Sequence, residues 1–147
     1  MTRCSEVMTR NPAACGPRDS IAHAAELMKR EDVGSIPVVE SDEARRLVGI
    51  VTDRDIVVRV LAEGREVGAA TVSDAMTRNP ATCREDDDVK LAVAQMAERQ
   101  VRRMPVVDAE GRLSGIIAQA DIATRVHRDE TTGDLVEAIS ESGTVRK

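Results

Sequence analysis

Met8-Thr9-Arg10-Asn11-Pro12-Ala13 returns 68 positions later as Met76-Thr77-Arg78-Asn79-Pro80-Ala81. Six residues repeated in order do not coincide by chance, and an internal repeat sets the architecture before any local reading does. The register extends outward from that stretch. Cys15 matches Cys83, Asp19 matches Asp87, Met28 matches Met96, Val33 matches Val101, and Pro37-Val38-Val39 matches Pro105-Val106-Val107. After a two-residue difference in the next turn, Gly49-Ile50 and Asp55-Ile56 match Gly115-Ile116 and Asp121-Ile122. The chain is a duplicated unit.

In the first copy, Asp19 or Ser20 stands where it can cap a helix whose apolar positions Ile21, Ala24, Ala25 and Met28 follow helical spacing, ending near Asp32. Ile36 to Val39 and Leu47 to Val51 read as short buried strands joined by a polar turn over 41–46. A second helix opens at Thr52 or Asp53, carries Ile56, Val57, Val60 and Leu61 on its inner face, and stops at Gly64. The second copy predicts a helix from about Asp87 to Arg99, strands over Met104 to Val107 and Leu113 to Ala118 around an Asp108-Ala109-Glu110-Gly111 turn, and a helix from Gln119 to about His127. The Asn-Pro-Ala segments add a short strand before each first helix. Each copy then reads strand, helix, strand, strand, helix, an α/β (α+β) pattern. The domain reading is 7–64, a linker over 65–75, 76–128, and a tail over 129–147 with one short helix through Leu135, Val136 and Ile139 before a frayed end.

A chain of 147 residues accommodates two such units only if they are small. Hydrophobic residues at 41% and charged residues at 32% mark a soluble globular protein, and no apolar run is long enough to span a bilayer. Met1 to Glu6 does not lead into a secretory h-region, so a cytoplasmic location is expected. A net charge of -5 disfavours a broad nucleic-acid footprint, and without any Phe, Tyr or Trp there is no platform for stacking bases. Any bound base must sit between aliphatic side chains, Met104 among the candidates. Three cysteines without CxxC spacing fit a reducing compartment, with Cys15 and Cys83 read as inert thiols. No spacing among Cys4, His23 and His127 supports a metal site. The chain carries no P-loop, dinucleotide fingerprint, HExxH motif or nucleophile elbow, so no enzyme is expected.

The repeated Met-Thr-Arg-Asn-Pro lead-in, Ser35-Ile36-Pro37-Val38-Val39, Arg103-Met104-Pro105-Val106-Val107-Asp108 and Gly49-Ile50-Val51-Thr52-Asp53-Arg54-Asp55 together resemble a tandem pair of CBS domains, the Bateman module, over residues 7–128. Thr52 to Ile56 and Val101 to Arg103 are also similar to stand-alone bacterial stress proteins of the hypoxic response type and to the regulatory insert of inosine monophosphate dehydrogenases. The resemblance implies two units related by a pseudo-two-fold axis, a non-catalytic regulatory role, and a homodimer serving an unidentified regulated protein. It also implies clefts for an adenosine ligand such as AMP, ADP or ATP, with no required cofactor. Carried over residue by residue, one cleft joins Thr52, Arg54 and Asp55 with Thr77, Asn79, Ala81, Val101, Arg102 and Arg103. The other joins Asp121 with Thr9, Asn11, Ala13, Val33, Gly34 and Ser35. In the second copy Ala118 and Ala120 replace Thr52 and Arg54, which makes the first cleft the stronger candidate.

The chemistry of these residues suits such a ligand and also admits plainer roles. A carboxylate can accept from both hydroxyls of a ribose edge, which fits Asp55 and Asp121. Thr52-x-x-Asp55 is equally a capping box that needs no ligand. Paired guanidinium groups at Arg102 and Arg103 suit phosphates, and they suit a solvated strand end just as well. A ligand-free dimerisation or interaction scaffold would carry the same motifs.

Overall fold

The computed structural model describes residues 1–125, and in it the chain divides into two compact units. One is continuous, Ala13–Pro80; the other joins Met1–Pro12 to the chain from Ala81 onward. The cuts fall inside the two repeated Asn-Pro-Ala segments, so each lead-in segment folds with the other copy.

The continuous unit holds α2 (Ile21–Glu31), β2 (Ser35–Val39), β3 (Leu47–Thr52), α3 (Asp53–Ile56) running into a π-helical turn (Val57–Leu61), α4 (Val72–Ala75) and β4 (Thr77–Arg78). The helix α2 starts where the sequence predicts. Ser20 Oγ accepts the His23 amide at 3.0 Å, and Asp32 closes the helix in the left-handed region with φ 55°. Ile21, Ala24, Leu27 and Met28 face the core. The strands lie in the order β2-β3-β4, all antiparallel, with Ser35 opposite Thr52 and Thr77 opposite Ile50.

The discontinuous unit comprises α1 (Cys4–Val7), β1 (Thr9–Arg10), β5 (Cys83–Arg84), α5 (Val89–Arg99), β6 (Arg103–Val107), β7 (Leu113–Ala118) and α6 (Gln119–Arg125). Its sheet runs β1-β7-β6-β5, with β1 antiparallel to β7 and β5 parallel to β6. Its hairpin turns on Asp108, whose Oδ1 accepts the amides of Glu110 and Arg112 at 2.9 Å each, and on Gly111 at φ 81°. Val7, Val93, Met96, Met104, Ile117 and Ile122 fill its core.

Four readings of the sequence change here. The inner face of the second helix is narrower than predicted: Val60 is buried, whereas Val57 and Leu61 are 53% and 54% exposed. The helix passes from α into π geometry at Val57, and the wider turn shifts the phase that 3.6-residue spacing assumes. The short strands precede Asn11 and Asn79 rather than containing the Asn-Pro-Ala segments. Both asparagines stand at φ 50°, a left-handed turn Asn tolerates better than most residues, and the prolines that follow have no N–H to pair. The interval 65–75, read as a linker, holds α4, whose Val72 and Ala75 are buried with Ala70 in the core of the continuous unit. Met104 is 1% exposed and belongs to the core rather than to a surface facing a base. The short helix expected around Leu135, and the end of α6 beyond Arg125, lie outside the described residues.

Candidate functional site

Glycine decides how each lead-in segment lies on its sheet. A Cβ on Gly49 would stand 2.8 Å from the Thr77 carbonyl oxygen and 2.9 Å from Met76 Sδ; on Gly115 it would stand 2.7 Å from both the Thr9 carbonyl oxygen and Met8 Sδ. Only a residue without a side chain allows that approach. The segment bearing Thr77 and Asn79 therefore lies along β3, which leads into Thr52, Arg54 and Asp55. The segment bearing Thr9 and Asn11 lies along β7, which leads into Asp121. The Asn79 amide reaches the Val48 carbonyl, and the Asn11 amide the Ser114 carbonyl, at 3.4 Å each.

At the start of α3 the capping box is formed. Thr52 Oγ1 accepts the Asp55 amide at 3.0 Å while Asp55 Oδ2 accepts the Thr52 amide at 2.9 Å. Asp55 Oδ1 faces Arg59 Nε at 3.9 Å, and Arg59 Nη1 donates to the carbonyls of Ala75 and Met76 at 3.1 and 3.0 Å. Arg59 thus ties the cap to the end of α4. Its counterpart by the repeat is Arg125, four residues after Asp121, and that recurrence of Asp-x-x-x-Arg was a signal in the sequence. Arg54 is exposed, and its amide donates to Asp53 Oδ1 at 2.8 Å.

Gly34 and Ser35 come to this same helix start. The Asp53 amide donates to the Gly34 carbonyl at 2.9 Å, and a Cβ at Gly34 would meet Asp53 Oδ2 at 3.0 Å, a close approach that a small shift of the exposed Asp53 side chain relieves. Ser35 Oγ is buried and has no hydrogen-bond partner. In the second copy the Gln119 amide donates to the Arg102 carbonyl at 2.9 Å, and Arg103 stands opposite Ala118. Asp121 is half-buried.

The structure therefore gathers Gly34, Ser35, Thr52, Arg54, Asp55, Thr77 and Asn79 within the continuous unit. Thr9, Asn11, Arg102, Arg103 and Asp121 fall within the discontinuous one. Of the apolar residues carried over, Ala13 and Val33 pack against the core of the first and Ala81 and Val101 against that of the second. Sequence reasoning had grouped Gly34 and Ser35 with Asp121, and Arg102 and Arg103 with Asp55. Within each unit, strand pairing makes Ser35 the neighbour of Thr52, and Arg103 the neighbour of Ala118.

Cys15 is buried, and desolvation together with the Asp19 carboxylate pushes its thiol up to about 12, so it is protonated and inert at neutral pH. Among the described residues no three His, Cys, Asp or Glu side chains converge to hold a metal, and no helix is long and apolar enough to cross a membrane.

Comparison with known proteins follows the same lines. The family model described as CBS domain matches twice, over residues 4–62 and 72–128. The uncharacterized protein YlbB of Bacillus subtilis is 38% identical over 141 residues, covering 96% of this chain and 93% of its own. Among solved structures, hypoxic response protein I with two coordinated zinc ions superposes with a TM-score of 0.75 at 34% identity, covering 83% of this chain and 97% of that one. CBSX2 of Arabidopsis thaliana in complex with AMP gives 0.75 at 28%, covering 87% and 98%. The CBS domain pair of MJ0100 with 5'-methylthioadenosine and S-adenosyl-L-methionine gives 0.74 at 29%, covering 88% and 99%.

Proposed function

Because the chain belongs to the CBS-domain family as a tandem pair, we propose that it is a non-catalytic regulatory module that senses an adenosine-containing ligand, AMP, ADP or ATP, at the Thr52–Asp55 helix start. The observation that carries this reading is the buried Ser35 hydroxyl without a partner, opposite Thr52 in the strand register. An unmade hydrogen bond there costs on the order of 1–3 kcal/mol, a cost that a ligand atom would offset. The Asp55 carboxylate keeps accepting capacity on Oδ1, where its Arg59 contact is long. In this reading Asp55 takes the ribose hydroxyls, and the Asp121 end binds more weakly because Ala118 stands in place of Thr52. The similarity to CBS pairs solved with AMP and with S-adenosyl-L-methionine supports the ligand class.

A thermal-shift screen of AMP, ADP, ATP, NAD and S-adenosylmethionine tests it. It must be read with an extrinsic dye, since the chain has no aromatic residue. We expect a rise in Tm with at least one adenosine phosphate, reduced in Ser35→Ala. No rise with any of the five would overturn the proposal.

The second reading, a homodimerising scaffold, is favoured by the exposed Val57, Val58 and Leu61 on one short helical segment. The two are compatible, since none of Val57, Val58 and Leu61 is among the residues proposed to bind the ligand.

A further inference from the structure

The duplication places different residues opposite its two repeated cysteines. Shifted by the same 68 positions that relate Cys15 to Cys83, Cys4 corresponds to Val72. In the continuous unit Cys15 and Val72 share one core; in the discontinuous unit Cys83 shares its core with Cys4. One copy pairs a thiol with a valine, and the other pairs a thiol with a thiol. The helix bearing Cys4, α1, packs on β5, which begins at Cys83, and the two side chains interact directly. Cys4 and Cys83 are 0% and 1% exposed.

We propose that Cys4 and Cys83 form a thiol–disulfide site, joined by a low-molecular-weight disulfide acting as oxidant, that fastens the N-terminal arm Met1–Pro12 to the discontinuous unit. The two thiols lie in one core, on α1 and on the strand it packs against, so the bond would join residues of one packed cluster. Access comes from the arm. Its first residues are held through the amides of Cys4 on the Asp87 carbonyl, Ser5 on that of Glu85, and Val89 on that of Thr2, at 2.9, 3.1 and 2.8 Å. A helix of four residues opens locally more readily than the longer elements of the fold.

The order of attack follows from the surroundings. The Cys83 thiol lowers the pKa of Cys4, while the hydrogen bond with Cys4, then burial and Asp87, hold Cys83 protonated. The Cys4 thiolate attacks one sulfur of the oxidant and releases one small thiol. Cys83 then loses its proton and attacks the Cys4 sulfur of the mixed disulfide, releasing the second. Two protein thiols and one small disulfide become one protein disulfide and two small thiols, with the electrons passing to the oxidant. Cys15 faces Val72 and takes no part.

Incubation of the native protein with oxidised glutathione, followed by alkylation and non-reducing peptide mapping, tests the site. We expect a monomeric cross-link between the peptides of Cys4 and Cys83, with only Cys15 left to alkylate. The closed loop is long, so Tm should rise by about 5 °C or more. Amide exchange over Thr2 to Arg10 should slow, and dithiothreitol should reverse both changes. Cys4→Val, which installs the residue the other copy uses, should abolish the cross-link and the Tm rise. The wild-type map decides independently of whether that variant folds. Three alkylated thiols after oxidation, or cross-links running through Cys15, would overturn the proposal.

Discussion

Asp55 is asked to do two things with one carboxylate. Its Oδ2 is committed to the Thr52 amide, so part of its worth is paid out in capping. Loss of such a cap costs roughly 0.5–2 kcal/mol. A ribose edge bound to the same group adds up to two charge-assisted hydrogen bonds of about 1.5–3 kcal/mol each. Asp55→Ala should therefore lower Tm without ligand and also weaken AMP at least about tenfold by calorimetry. Asp121→Ala should leave the dominant affinity much less affected. Equal AMP affinity in wild type and Asp55→Ala would reduce Asp55 to a cap. The sequence made both roles visible and had no means to rank them, because a Thr-x-x-Asp pattern has the same spelling in either. The unpartnered Ser35 hydroxyl was not visible at all, since the lack of a partner is a property of packing.

At the scale of elements, the repeat predicted helices and strands well wherever one period governs a segment, as in α2 and in the β6–β7 hairpin. It failed where the period changes, at the π-helical turn, and where an element is one turn long, at α1 and α4. A signal existed for α4: the Thr71 amide donates to Asp74 Oδ2 at 2.9 Å, a Thr-x-x-Asp pattern like that of α3. The lead-in segments show why glycine recurs at 49 and 115. A methyl group at Gly115 would have to displace the Thr9 backbone oxygen, 2.7 Å away, whereas one at Gly68 meets nothing within 4 Å. Gly115→Ala should cost about 1–3 kcal/mol by overpacking, and Gly68→Ala should change denaturant stability little. Arg59 is the second element-scale device. Arg59→Met keeps the aliphatic stem but removes the donors to Ala75 and Met76, and should quicken amide exchange in α4 and β4 while leaving α2 protected. Unchanged exchange there would show that Arg59 is an ordinary surface charge.

For the whole molecule, the lead-in segments are exchanged: each copy's first strand completes the sheet of the other, so neither repeat as written in the sequence is a finished unit. That exchange was implicit in the expected clefts, which drew Thr77 toward Asp55 and Thr9 toward Asp121, and the sheets bring both pairs of segments together. Val60 and Ile122 are 0% exposed and serve their own cores, while Val57, Val58 and Leu61 face solvent. Three large aliphatic side chains on one short helical segment are a self-complementary patch of the kind a two-fold interface uses. We therefore expect a homodimer by light scattering. The Val57→Asp, Leu61→Lys double variant should run as a monomer with unchanged far-UV circular dichroism, because neither side chain contributes to a core. A wild-type protein that stays monomeric at high micromolar concentration, with or without AMP, would leave those residues without a partner and count against the interface. A variant that stays dimeric would place the interface elsewhere.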